Sequence, residues 1–338
     1  MSDFEIDLSG IRDKLKENNP SEAIVLAQVA IGKASDNDGR AHEMLGEAFA
    51  ELGEIKKAKN AFRESIRRSD NLEEDNGYEK YLWMAQIIED SEKSLMLYDR
   101  GLNILSRLYQ LNSNDVDVKK KLQGAYCSVA ELFMTDLCMR EEAESQCEKY
   151  TNLALQVDHT NAEALQTLAS MRISQQNFDE AKEALQECLK SISKAAMEDS
   201  IDLPTYAVRT SVARLLIEVE MHQEAHDLLI YLQKEDDEIV DVWYLLGWNC
   251  YVEAQNLQEQ GNASEDDIKE LLISAKSYFL GALATYQKTM WDDEGILEHM
   301  KEILQILNEL GVPNPEEDAG EPEEPDWETD SDENMQDS

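Results

Sequence analysis

Glu43, Glu47 and Glu51 recur at i, i+4 and i+8, a spacing that stacks three carboxylates along one face of a helix. Glu79, Gln86, Glu89 and Asp90 add a second polar stretch, and Glu131 and Glu218 continue it singly. Nearer the C-terminus, Asp241, Tyr244, Trp248 and Tyr251 share one helical face, with Glu253 beside them. Carboxylates next to aromatic faces suit Arg and Lys, through charge-assisted hydrogen bonds and cation–π contacts of about 0.5–2 kcal/mol each. The chemistry on offer is recognition of cations. The competing readings are an ordinary solvated Glu face, and aromatics packed against a neighbouring insertion or terminal helix.

Other chemistries find little support. His222 and His226 stand at i, i+4, a spacing that can chelate a metal, but the HExxH order is absent and repeat packing already fixes Ala225 between them. Neither GxGxxG nor GxxxxGK[ST] occurs, no Ser, Cys or His carries a nucleophile signature, and basic residues do not interleave with aromatics. The expectation is a binding protein without metal or cofactor, not an enzyme.

Charge points the same way. Asp and Glu number 72 against 31 Lys and Arg, a formal net charge of −41. Such a surface repels nucleic acid and anionic lipid and attracts basic ligands. Residues 316–338 hold twelve acids and no base, yet the remainder is strongly acidic too. No apolar run approaches the roughly 20 residues that span a bilayer. The five cysteines form no CxxC pair, which suits reduced thiols inside the cell; cytoplasm and nucleus are the expected locations.

The elements that position these residues announce themselves as repeats. In 39–72, Leu45-Gly46 take positions 7 and 8 of a 34-residue pattern, Phe49 takes 11, and Ala58, Phe62 and Ser65 take 20, 24 and 27. Residues 162–195 repeat the frame with Leu165, Leu168-Ala169, Ala181, Leu185 and Cys188. Residues 206–239 do so with Val212-Ala213, Leu216, Ala225, Leu229 and Leu232. Small residues let paired helices approach and large ones fill the gaps, so the pattern predicts an all-α tetratricopeptide-repeat solenoid. Looser copies at 8–36, 78–106, 116–160 and 240–288 bring the count to about seven; in 116–160 a long second helix is expected. An apolar face along Ile296, Met300, Ile303, Leu304, Ile306, Leu307 and Leu310 predicts a C-terminal capping helix. The expected layout is a flexible N-terminus at 1–7, the solenoid at 8–311 with an insertion near 258–267, and a disordered acidic tail at 312–338. First helices of such repeats line a groove, chiefly at positions 2, 5, 9, 12 and 13, where Glu43, Glu47, Glu51, Glu79, Glu89, Asp90, Glu131, Glu218 and Asp241 fall. Groove residues that hold acidic heat-shock tails are Lys, Asn and Arg; here Glu43, Glu47, Tyr244 and Trp248 stand in their places.

Two stretches narrow the reading. Glu79-Lys80-Tyr81-Leu82-Trp83-Met84-Ala85-Gln86 and Val242-Trp243-Tyr244-Leu245-Leu246-Gly247-Trp248 resemble recurring stretches of the fungal assembly chaperones dedicated to large-subunit ribosomal protein L-four. The acidic tail is similar to theirs as well. The resemblance implies a repeat protein that captures the newly made client by its long basic internal loop and escorts it to pre-ribosomes, with contact to import factors running through the client. Charge alone equally admits a histone-type acidic chaperone or a scaffold subunit of a larger assembly.

Overall fold

A computed structural model describes residues 8–34, 38–68, 77–198, 200, 203–261 and 263–314. Among them lie fifteen α-helices and no strand. They fall into two compact units, residues 1–225 and 226–338, with α12 (His222–Glu235) crossing the boundary. The expected N-terminal segment 1–7 and residues 315–338 of the tail expected at 312–338 lie outside the described residues; Val312, at the start of that expected tail, is buried instead.

The first unit contains α1 (Ser9–Lys16), α2 (Pro20–Ile31), α3 (Arg40–Glu51), α4 (Ile55–Arg68), α5 (Glu79–Ile87), α6 (Ser91–Leu111), α7 (Val116–Met134), α8 (Ala143–Val157), α9 (Ala162–Ser174), α10 (Phe178–Met197) and α11 (Tyr206–Glu218). Helices pack in sequential pairs. First helices of successive repeats also touch, α3 on α5, α7 on α9 and α9 on α11, and an ion pair at 4.0 Å between Lys121 of α7 and Glu79 of α5 joins the two groups into a row. The repeat positions read from sequence are the core: Ala58, Phe62, Ser65, Ala169, Ala181, Leu185, Cys188, Val212, Ala213 and Leu216 are all fully buried. Position 8 meets position 24 directly. A Cβ placed on Gly46 would lie 2.6 Å from the Phe62 ring, so only glycine lets α3 and α4 close to this distance.

Starts and stops follow local chemistry. Asn19, Asp90, Asp115, Asn161 and Thr205 cap helices with side-chain oxygens that accept a backbone N–H three residues on. Gly53 ends the turn after α3 at φ +71°, a left-handed value that glycine adopts freely. The fourth repeat departs from expectation. Its extra length lies in the first helix, α7, and in the turn before α8, not in a long second helix. Leu137 plugs that turn into the core and holds it.

The second unit holds α13 (Val240–Gln260), α14 (Glu265–Thr289) and α15 (Glu294–Glu309). The extra residues near 258–267 lengthen α13 and α14 on either side of a short turn. Gly261 ends α13 at φ +66°, and Ser264 with Asp267 forms a reciprocal capping box for α14. Helix α15 buries Met300, Ile303, Leu304 and Leu307, while Leu310 stays exposed. The buried Lys276 ammonium donates to the Val312 carbonyl at 2.6 Å and pins the chain where α15 ends.

Candidate functional site

Along the row of first helices in the first unit, the three glutamates of α3 meet different fates. Glu43 is buried. Its Oε1 accepts the Lys80 backbone N–H at 3.0 Å, and its Oε2 lies 4.0 Å from the equally buried Lys80 ammonium. This ties α3 to α5, and it corrects the reading of Glu43 as a carboxylate waiting for a partner. The sequence hides that role because the spacing from Glu47 and Glu51 says nothing about which rung α5 covers.

Glu47, one turn on, is half-buried and faces Glu79 of α5. Burial, and then the charges of Glu79, Glu51 and Glu43, push its carboxyl up to about 7, with Lys121 of α7 opposing them. Lys121 Nζ lies 4.0 Å from Glu79 Oε1. Tyr78 belongs to the same neighbourhood: burial, followed by Glu79, Asp117 and Asp115, raises its phenol to about 12. Glu51 is exposed at the end of α3, its carboxyl raised by the desolvation it does suffer. Around Glu47 and Glu79 the structure therefore gathers more carboxylates than cations, partly out of water, where a Coulombic attraction is stronger than in bulk solvent.

A second acidic pair lies further along the same row. Glu163 of α9 is half-buried, its carboxyl raised by burial and by the nearby charge of Glu131 of α7. Glu163 was missed in the sequence, although position 2 of the fifth repeat marks it. Its carboxylate packs beside Gly124; a Cβ there would sit 3.7 Å from Oε1. Beneath, Cys127 is buried and its thiol is pushed up to about 12, first by burial and then by Glu163.

Other expected members stand apart. Asp90 is the N-cap of α6, accepting the Lys93 N–H at 3.1 Å and pairing with its ammonium at 2.7 Å; it is a local cap, not a groove residue. Glu89 extends into solvent and meets Lys59 of α4 at 3.5 Å. Glu218 is exposed at the last position of α11.

In the second unit the acid-aromatic patch resolves into packing. The Tyr244 hydroxyl is hydrogen-bonded to His299 Nδ1 of α15 at 2.9 Å, and its ring stands edge-on to Phe279. Trp248 lies 5.2 Å from the His299 ring and 5.9 Å from Tyr251. Tyr251 is buried in the core shared with α14 and α15. The capping helix covers this face, so Tyr244, Trp248 and Tyr251 hold α15 in place; reading them as a bare cation cradle is corrected. Asp241, in the first turn of α13, and Glu253 remain half-buried beside it. His226 bonds Tyr278 at 3.3 Å, and no cluster of metal-ligating side chains occurs among the described residues.

Comparison with known proteins fits this architecture. The tetratricopeptide repeat model matches residues 39–71 and 162–194. The chain is 64% identical over 337 residues to a protein of Schizosaccharomyces pombe named "Probable assembly chaperone of rpl4", covering all of this chain and 99% of that one. It is 33% identical to the protein of the same name from Emericella nidulans, over 96% of this chain and 88% of the relative. The solved structure of the assembly chaperone of RpL4, Acl4, superposes with a TM-score of 0.68 at 30% identity, over 76% of this chain and 99% of that one. The Cut9–Hcn1 complex superposes with a TM-score of 0.58 at 11% identity, over 90% of this chain and 49% of that one, a likeness of fold alone. The chain belongs to the tetratricopeptide-repeat family of assembly chaperones of rpl4.

Proposed function

We propose that this chain captures newly made ribosomal protein L4 and shields it until it joins the large subunit, by binding and not by catalysis. The relatives' shared name supplies the client, and the desolvated carboxylates of the first unit supply the means. Glu47 carries the argument: a half-buried carboxyl held near 7 among Glu79, Glu51 and Glu43 gains more from an incoming Lys or Arg than a solvated one does. Glu131 and Glu163 offer a second foothold further along the row. Cations along an extended basic loop of the client would meet these two acid groups in turn. Cys127, Cys188 and Cys250, each pushed to about 12 by burial, are poor nucleophiles, which supports binding over covalent chemistry. Escort of the client from cytoplasm to nucleus is part of the same proposal.

Co-expression tests it. Ribosomal protein L4 should stay soluble and co-purify with the wild-type chain. It should be lost, or recovered in far smaller amount, with Glu47→Lys/Glu79→Lys/Glu131→Lys/Glu163→Lys. Equal recovery would remove these carboxylates from the client site. Preferential capture of histones would favour the other acidic-chaperone reading.

A further inference from the structure

Helix α4 is a basic island on a strongly acidic chain. Its fourteen residues hold Lys56, Lys57, Lys59, Arg63, Arg67 and Arg68 against a single acid, Glu64. Ala58, Ala61, Phe62 and Ser65 turn one face inward. Lys56, Asn60, Arg63 and Arg67, at i, i+4, i+7 and i+11, are exposed on the other. The stripe runs about 16 Å along the helix axis.

Local needs account for only part of this charge. Glu64 accepts from Arg67 at 2.6 Å and from Arg68 at 2.8 Å, and both arginines complement the C-terminal end of the helix dipole. Lys57 pairs with Glu54 and Lys59 with Glu89. Among the described residues neither Lys56 nor Arg63 pairs with a carboxylate; Arg63 merely donates to Asn60 at 3.3 Å. Lys56 and Lys57 moreover occupy the first helical turn, which contains no acid and where cations work against the dipole.

We propose that this face of α4 docks an extended, Asp- and Glu-rich segment of a partner protein. Arginine forks and lysines spaced by helical turns match carboxylates along an extended chain, and Asn60 between them can meet its backbone. A nucleic acid fits less well. Phe62, the lone aromatic of α4, is fully buried, so bases have no surface to stack on. The face lies opposite the one α4 turns to the core and is independent of Glu47, Glu79, Glu131 and Glu163. The protein thus offers a surface of each sign.

Fluorescence anisotropy of the full chain with a labelled Asp/Glu-rich synthetic peptide at low salt tests this. Wild-type protein should bind, and Lys56→Glu/Arg63→Glu/Arg67→Glu should weaken binding about tenfold, as three exposed ion pairs would. Lys190→Glu/Lys194→Glu on α10 should leave binding unchanged, and so should loss of the L4-binding carboxylates. Lys56→Gln/Arg63→Gln/Arg67→Gln decides the matter if the charge-reversed variant melts early. No binding by wild type, or equal binding by all variants, overturns the proposal. An RNA oligomer of equal charge that displaces the peptide from α4 at lower concentration overturns it in favour of nucleic acid.

Discussion

Two carboxyls one helical turn apart, Glu43 and Glu47, do opposite work. Glu43 is spent on Lys80, so Glu43→Ala should destabilise the first unit by about 3 kcal/mol, the usual cost of stranding one member of a buried pair; urea unfolding measures it. Glu47 is left wanting a cation. Its folded pKa, about 7, lies above the ordinary 4.5, so between these values the folded state holds a proton that the unfolded state has released. Its contribution to stability is therefore present at acid pH and is lost as pH rises through 7. Glu47→Gln should raise stability at pH 8 by about 2 kcal/mol and leave it nearly unchanged at pH 4. The proposed binding links to the same proton: a client cation paired with Glu47 would lower its pKa, so affinity should rise with pH through 7 and complex formation should release protons. Calorimetry in buffers of different ionisation enthalpy reads that release, and Glu47→Gln should diminish it. His42 has the opposite sign. Burial and the charge of Arg68 hold its imidazole below 6.5, so its stabilising effect is lost as pH falls through that region.

At the scale of elements, Gly46 sets how closely α3 and α4 pack. Gly46→Val should cost about 1–3 kcal/mol through its collision with Phe62, read as a lowered Tm. Trp248→Ala should loosen α15 and lower the stability of the second unit while leaving client capture intact, because the ring packs on His299. These outcomes follow the boundary of what was legible in the sequence. The helix pairs, the buried small positions and the capping box at Ser264 obey local spacing, and every residue needed to infer them lies within one repeat. What covers a helix afterwards does not. Tyr244 and His299 are 55 residues apart, and Glu43 and Lys80 are 37 apart, so periodicity along α13 or α3 cannot show which face a later helix closes. Asp90 was misplaced for a simpler reason: an acid just before a helix satisfies backbone N–H groups, and as a cap it resembles a groove position one step away.

For the whole molecule, a net charge of −41 costs stability through self-repulsion and lends an attraction to basic clients that salt must screen. The exposed part of that attraction should weaken steadily with added salt, while the contribution of half-buried Glu47 and Glu163 should persist longer. On the function proposed, these carboxylates hold the client. Isothermal titration of ribosomal protein L4 into the full chain, wild type against Glu47→Gln/Glu79→Gln/Glu131→Gln/Glu163→Gln, tests it most directly. The substitutions keep shape and remove charge. Affinity should fall by about a hundredfold, on the order of 3 kcal/mol, with the melting temperature preserved or raised. An affinity equal to wild type, in a variant that melts normally, would contradict it.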